Sequence, residues 1–76
     1  MQHPEISKSE AVIMELMKKG FTNHKISTEL NLSVNTVKYH LKRMYKKLGA
    51  NNRVEAINHY NRLKDFQDSN DTNYNT

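Results

Sequence analysis

Asn35, Lys38, Tyr39, Lys42 and Lys46 recur at intervals that sum to threes and fours, the spacing that lines side chains along one face of a helix. Each has a chemistry suited to nucleic acid. A lysine ammonium can donate to guanine O6 and N7, and an asparagine amide can pair two-fold with adenine. A tyrosine offers its ring to a thymine methyl or its hydroxyl to a phosphate. From Ser33 to Leu48 the basic residues are Lys38, Lys42, Arg43, Lys46 and Lys47, and no acidic residue interrupts them. A helix that needed only solubility would mix signs, because acid–base pairs three or four apart support it. Charge of one sign points to an anionic partner. A basic run can also be no more than a solvated face, so the elements around it must decide.

Those elements read as helices. Ser33 stands where an N-cap belongs, and behind it Val34, Val37, Leu41, Met44 or Tyr45, and Leu48 form an apolar stripe. The polar set is centred roughly 120° from that stripe. Upstream, Thr22 can cap a short helix over 23–30 that turns Ile26 and Leu30 inward. Ser27 is small enough for close helix approach, Asn31 tolerates the left-handed conformation of a tight turn, and Leu32 is expected in the core. So short a connection is that of a helix-turn-helix.

The outer helices follow the same rules. Ser7 and Glu10 have capping-box spacing for a first helix over 7–19, with Val12, Ile13, Leu16 and Met17 inward and Gly20 as its stop. Phe21 is placed as a lid over the junction. Gly49 ends the long helix. Asn51 or Asn52 then caps a fourth helix over 52–66, Asn52 and Glu55 having capping-box spacing, and Val54, Ala56, Ile57, Tyr60, Leu63 and Phe66 give it a wider apolar face than a small core requires. Part of that face, Val54, Ile57 and Tyr60 together with Asn61, is expected to serve self-association. The reading is an all-α, four-helix tetrahelical helix-turn-helix fold with helices at roughly 7–19, 23–30, 33–48 and 52–66. Residues 1–66 form the domain, with 1–5 as an irregular lead-in, and 67–76 are expected to be a disordered polar tail.

Composition narrows the function. The chain has 76 residues, enough for one small domain, and a net charge of +4. The charge is uneven: residues 1–64 carry twelve basic and five acidic residues, a net of +7, and a small domain with that excess is drawn to polyanions. There is no cysteine, hence neither a disulfide framework nor a cysteine metal site. No apolar run approaches the ~20 residues of a membrane span, and the first residues lack a signal-peptide core. A cytoplasmic location without membrane contact is expected. His3, His24, His40 and His59 fall in no metal-binding spacing. With Gly20 and Gly49 as its only glycines, the chain has no phosphate-binding loop. Neither enzymatic activity nor a cofactor is expected.

These residues resemble the LuxR/GerE family of bacterial helix-turn-helix regulators over roughly Ile6 to Leu63. I-S-K-S-E-A-V-I-M matches the family's opening pattern L-T-x-R-E-x-x-V-L. L-N-L-S-V-N-T-V-K-Y-H, from Leu30 to His40, matches L-x-x-S-x-x-T-V-K-x-H. Lys47 to Ala56 matches K-L-G-x-x-x-R-x-E-A. Ser9, Lys25 and Ser27 depart from the usual Arg, Glu and Ala, and none of them lies on the long helix. The resemblance implies a third helix in the major groove and a fourth that mediates dimers. By position it assigns Lys38, Tyr39 and Lys42, with Asn35 as a fourth, to base reading. It assigns Thr36, Lys46 and Arg53, along with Thr22 or Asn23, to phosphates, and makes His40 a buttress of the helix or a contact to the backbone rather than a catalyst.

The expectation is a sequence-specific regulator of transcription that binds double-stranded DNA as a homodimer. RNA polymerase or another regulator is a further candidate partner. The alternative is a small protein-interaction module that occupies another transcription regulator, which would leave the one-sign face of the third helix unexplained. The sequence fits both a stand-alone regulator and the output domain of a longer one.

Overall fold

A computed structural model describes residues 6–74, with side chains from 6 to 65. The element order is α1 (Lys8–Lys18), α2 (Asn23–Leu30), α3 (Val34–Leu48) and α4 (Arg53–Tyr74), with no strand among the described residues. The first three lie where the sequence puts them because their ends are chemically marked. Ser7 and Glu10 satisfy each other's backbone N–H groups at 3.0 and 3.1 Å. The Thr22 hydroxyl accepts from the Lys25 N–H at 3.1 Å, and that of Ser33 from the Thr36 N–H at 3.0 Å. Each such cap stabilises its helix by about 1 kcal/mol. Two of the stops are left-handed residues that return their amides to the last turn. Asn31 has φ 58° and Gly49 φ 65°, with Leu32 N–H donating to Ser27 O at 2.8 Å and Ala50 N–H to Tyr45 O at 2.9 Å.

The core is drawn from all four helices: Ile13, Met14 and Met17 of α1, Ile26 of α2, Val37, Leu41, Met44 and Leu48 of α3, and Ala56 and Tyr60 of α4. Each large apolar side chain taken out of water there contributes about 1.5–3 kcal/mol. Ser27 is buried beside them, and its hydroxyl donates to His24 O at 2.6 Å. Phe21, the expected lid, is half-buried against this core.

Four expectations are corrected. Val12, expected inward, is 46% exposed. The inner stripe of α1 is Glu10, Ile13, Met14 and Met17, shifted because a carboxylate occupies its first position. Glu10 is buried, and Lys47 of α3 reaches it at 2.7 Å. Leu32, expected in the core, lies at the surface, since the turn after Asn31 brings its amide back to α2 while its side chain stays outside. Tyr60, expected at a self-association surface, is buried in its own chain's core. Its hydroxyl donates to Glu15 Oε2 at 3.2 Å, where Lys64 also binds, tying α4 to α1. Finally, α4 does not end at 66. Helical backbone continues to Tyr74 through most of the expected polar tail. No glycine or proline follows Gly49, and a helix once nucleated propagates at little further cost. Residues 1–5 and 75–76, and the side chains of Phe66 and Tyr74, lie outside the described residues.

Candidate nucleic-acid interface

α3 has two sides of opposite character. Val37, Leu41, Met44 and Leu48 are buried, while Asn35, Lys38, Tyr39, Lys42, Arg43 and Lys46 are exposed. Because α2 and α4 hold α3 by its apolar stripe, the polar side of this helix faces outward along its whole length. Lys38, Lys42 and Lys46 form no ion pair among the described residues. Lys47, next along the chain, does the opposite and turns in to Glu10. Burial pushes the Glu10 carboxyl up. Hydrogen bonds from the Lys47 ammonium and the Ser7 backbone, together with the Lys47 charge, outweigh it and hold the group below its ordinary 4.5.

A shallow groove runs along one flank of α3. Thr22, Asn23 and His24 at the start of α2, Lys38 and Lys42 on α3, and Arg53 at the start of α4 line it. The unpaired N–H groups of the first turn of α2 give this end of the groove a partial positive charge. Arg53 is fixed across it, donating from Nη1 to Phe21 O at 2.9 Å and from Nη2 to Asn23 Oδ1 at 3.4 Å. A guanidinium has five N–H donors, so Arg53 can hold this junction and still face an anion. Residues distant in sequence thus meet in one trough beside the exposed face of α3, where Lys38, Lys42 and Arg53 stand among the largely apolar lining of Phe21, Leu41 and Tyr45.

Thr36 is half-buried and outside the groove lining, and its hydroxyl accepts from Ser33 Oγ at 2.9 Å. Lys46 lies outside the groove, one turn beyond Lys42. His40 is half-buried with its ring 5.8 Å from that of Tyr39, edge to face. On α4, Val54 is 67% exposed and Ile57 and Asn61 are half-buried, aligned three and four residues apart.

The chain's spacing and family resemblance give neither His24 nor Arg43 an individual role at the interface. His24 lines the groove because it sits in the first turn of α2, directly after Thr22 and Asn23. Arg43 follows Tyr39 by four residues, and its Nη1 donates to the Tyr39 hydroxyl at 3.2 Å. That hydrogen bond raises the guanidinium further above its ordinary value. The four-residue interval was the available signal.

The luxR-family model of bacterial regulatory proteins matches residues 4–60. The chain belongs to that family. It is 44% identical over 48 residues to the probable transcriptional regulatory protein SgaR of Hyphomicrobium methylovorum, a match covering 63% of this chain and 23% of that protein. It is 29% identical over 72 residues to the HTH-type transcriptional regulator MalT of Klebsiella pneumoniae subsp. pneumoniae, covering 83% of this chain and 8% of that one. Among solved structures, the response regulator ChrA of a heme-sensing two-component system superposes with a TM-score of 0.78 at 31% identity. That match covers 84% of this chain and 32% of ChrA. The chain therefore spans less than a quarter of the length of SgaR or MalT and about a third of ChrA. It is a LuxR-type helix-turn-helix domain of the kind found in transcriptional regulators. Among the described residues no cluster of His, Cys, Asp and Glu could hold a metal, and no helix is long and apolar enough to cross a membrane.

Proposed function

We propose that this LuxR-type domain regulates transcription in the cytoplasm by inserting α3 into the major groove of double-stranded DNA. The observation that carries the reading is the outward face of α3. Its lysines meet no carboxylate among the described residues, and they stand beside a groove formed by the N-terminus of α2 and Arg53. In this reading Asn35, Lys38, Tyr39 and Lys42 contact base edges and set sequence choice. Thr22, Asn23, Thr36, Lys46 and Arg53 contact phosphates and set register. The DNA-binding unit is residues 1–66.

The domain acts as a homodimer through the outward face of α4, with Val54, Ile57 and Asn61 at the contact. Tyr60 supports that face from beneath. Two copies related by a two-fold axis place their α3 helices about 34 Å apart, one turn of DNA, and read a two-fold related site.

The test is a salt titration of binding to a random duplex pool, followed by selection of the bound fraction. Affinity that falls steeply with salt and a selected pool that converges on a two-fold motif are the expected results, and the slope counts the phosphates engaged. Weak binding with nothing enriched refutes the groove assignment and turns attention to a protein partner.

A further inference from the structure

Tyr39 and Arg43 form a joined pair on the outward side of α3. Arg43 Nη1 donates to the phenol oxygen at 3.2 Å, and the guanidinium carbon lies 5.7 Å from the ring centroid. His40 meets the same ring edge to face. Both members of the pair remain accessible, Tyr39 at 57% exposure, and no carboxylate pairs with Arg43 among the described residues.

The direction of that hydrogen bond has a chemical consequence. A phenol owns one O–H donor and an oxygen that can accept. Arg43 is always charged and has no acceptor, so in this pair the phenol oxygen can only be the accepting partner. One of its lone pairs is engaged, and its own O–H is polarised into a stronger donor. The phenol then needs an acceptor of its own. In the major groove guanine N7 and O6, adenine N7 and thymine O4 accept, whereas adenine N6 and cytosine N4 donate. A phenol held in this way, with its O–H strengthened and a cation already on its oxygen, is better matched to the first set than to the second.

We infer that Arg43 is a specificity-determining positioning residue that fixes Tyr39 as a hydrogen-bond donor, so that the base edge under Tyr39 is selected for an acceptor and against an amino group. This rests on the groove reading of α3 given above. It differs from a direct phosphate role for Arg43, which would strengthen binding to every sequence alike.

The experiment is selection from a randomised duplex pool by the wild type, Tyr39→Phe, Arg43→Met and the double variant, each with its salt slope measured on one selected site. Both residues are exposed, and unchanged thermal melts confirm that the variants fold. Tyr39→Phe identifies the base position concerned by lowering discrimination there about tenfold. Arg43→Met is expected to relax the same position about fivefold, by admitting amino edges, with the salt slope unchanged. Added to Tyr39→Phe, Arg43→Met should change nothing further.

An unaltered motif with Arg43→Met overturns the inference. So does an equal loss of affinity on all sequences with a slope lower by about one for each protomer bound, the signature of a phosphate contact. So does an effect of Arg43→Met that persists undiminished when Tyr39→Phe is already present. A wild type that selects no motif brings down the groove reading itself, and the role of the pair with it.

Discussion

Lys42 and Lys47 stand on the same helix with the same charge and meet opposite surroundings. Lys47 is partly covered, and its ammonium binds a Glu10 carboxylate whose side chain is only 4% exposed. Lys42 is exposed on the groove beside Lys38 and forms no ion pair among the described residues. Five residues are one full turn and part of the next, enough to carry a side chain from the outer face of α3 to the seam with α1. The lesson is that a basic run is not one feature. Net charge measures attraction to a polyanion, but the partition between paired and unpaired lysines separates the side chains that hold the fold from those left open to a partner.

The first test removes the unpaired side. Lys38→Ala combined with Lys42→Ala is expected to abolish sequence-specific DNA binding, a loss of about 100-fold or more if each base contact contributes roughly 1–3 kcal/mol. Stability should move by less than about 0.5 kcal/mol, because neither side chain is buried. A gel-shift series and a urea melt measure the two. Unchanged binding would remove α3 from the groove. The paired side should respond in the reverse sense. Lys47→Met leaves the Glu10 carboxylate buried without its countercharge. Loss of one partner from a fully buried pair costs about 3–5 kcal/mol, and the partial exposure of Lys47 lowers the expectation to about 2 kcal/mol. The folded fraction should bind DNA nearly as the wild type does. A stable variant that binds poorly would place Lys47 with Lys42.

That partition was only half legible in the sequence. The ends of α1, α2 and α3 were readable because Ser7, Thr22, Ser33, Asn31 and Gly49 each satisfy a local backbone need that the residue type announces. The outward set Asn35, Lys38, Tyr39, Lys42 and Lys46 was readable from spacing alone. The phase of α1 was not: Val12, Ile13 and Met14 are consecutive apolar residues, and either side of the trio could face inward. A contact 37 residues away along the chain, Lys47 to Glu10, settles it. Glu10 was visible as half of a capping box, and nothing local showed that the same carboxylate is also a buried counterion. Tyr60 was misplaced for a similar reason, since its partner Glu15 lies on α1. The end of α4 escaped because a polar stretch without glycine or proline carries no stop signal. Of the interface, the α3 face could be seen in the chain, but the groove joining it to Asn23 and Arg53 exists only once α2 and α4 are packed.

Acid sharpens the comparison, because it can discharge Glu10 and leaves the lysines charged. The carboxyl of Glu10 is held below its ordinary 4.5 in the folded chain. A depressed folded value means that its contribution to stability is fully present above the unfolded value and is lost as pH falls through the folded one. Urea midpoints measured as pH falls from above 4.5 should therefore drop more steeply for the wild type than for Glu10→Gln. Glutamine keeps an oxygen for the Ser7 amide, so the difference isolates the charge. Parallel curves would show that the pair with Lys47 adds nothing beyond the cap.

The smallest expected effect comes from the one lysine between the two classes. Lys46 precedes Lys47 directly, yet it is exposed, forms no ion pair among the described residues and does not line the groove. A lysine there can reach a phosphate without reaching a base edge. Lys46→Gln is expected to weaken binding to all DNA sequences to the same modest degree and to lower the salt slope by about one for each protomer bound. The selected motif and the urea midpoint should not change. The neighbouring substitution Lys47→Gln should do the converse, lowering the midpoint while sparing the slope. If Lys46→Gln instead alters the motif, the base-reading face extends a turn further along α3 than Lys42. If both substitutions shift the slope equally, Glu10 does not retain Lys47 when DNA is bound, and the division between the two sides of α3 belongs to the free protein alone.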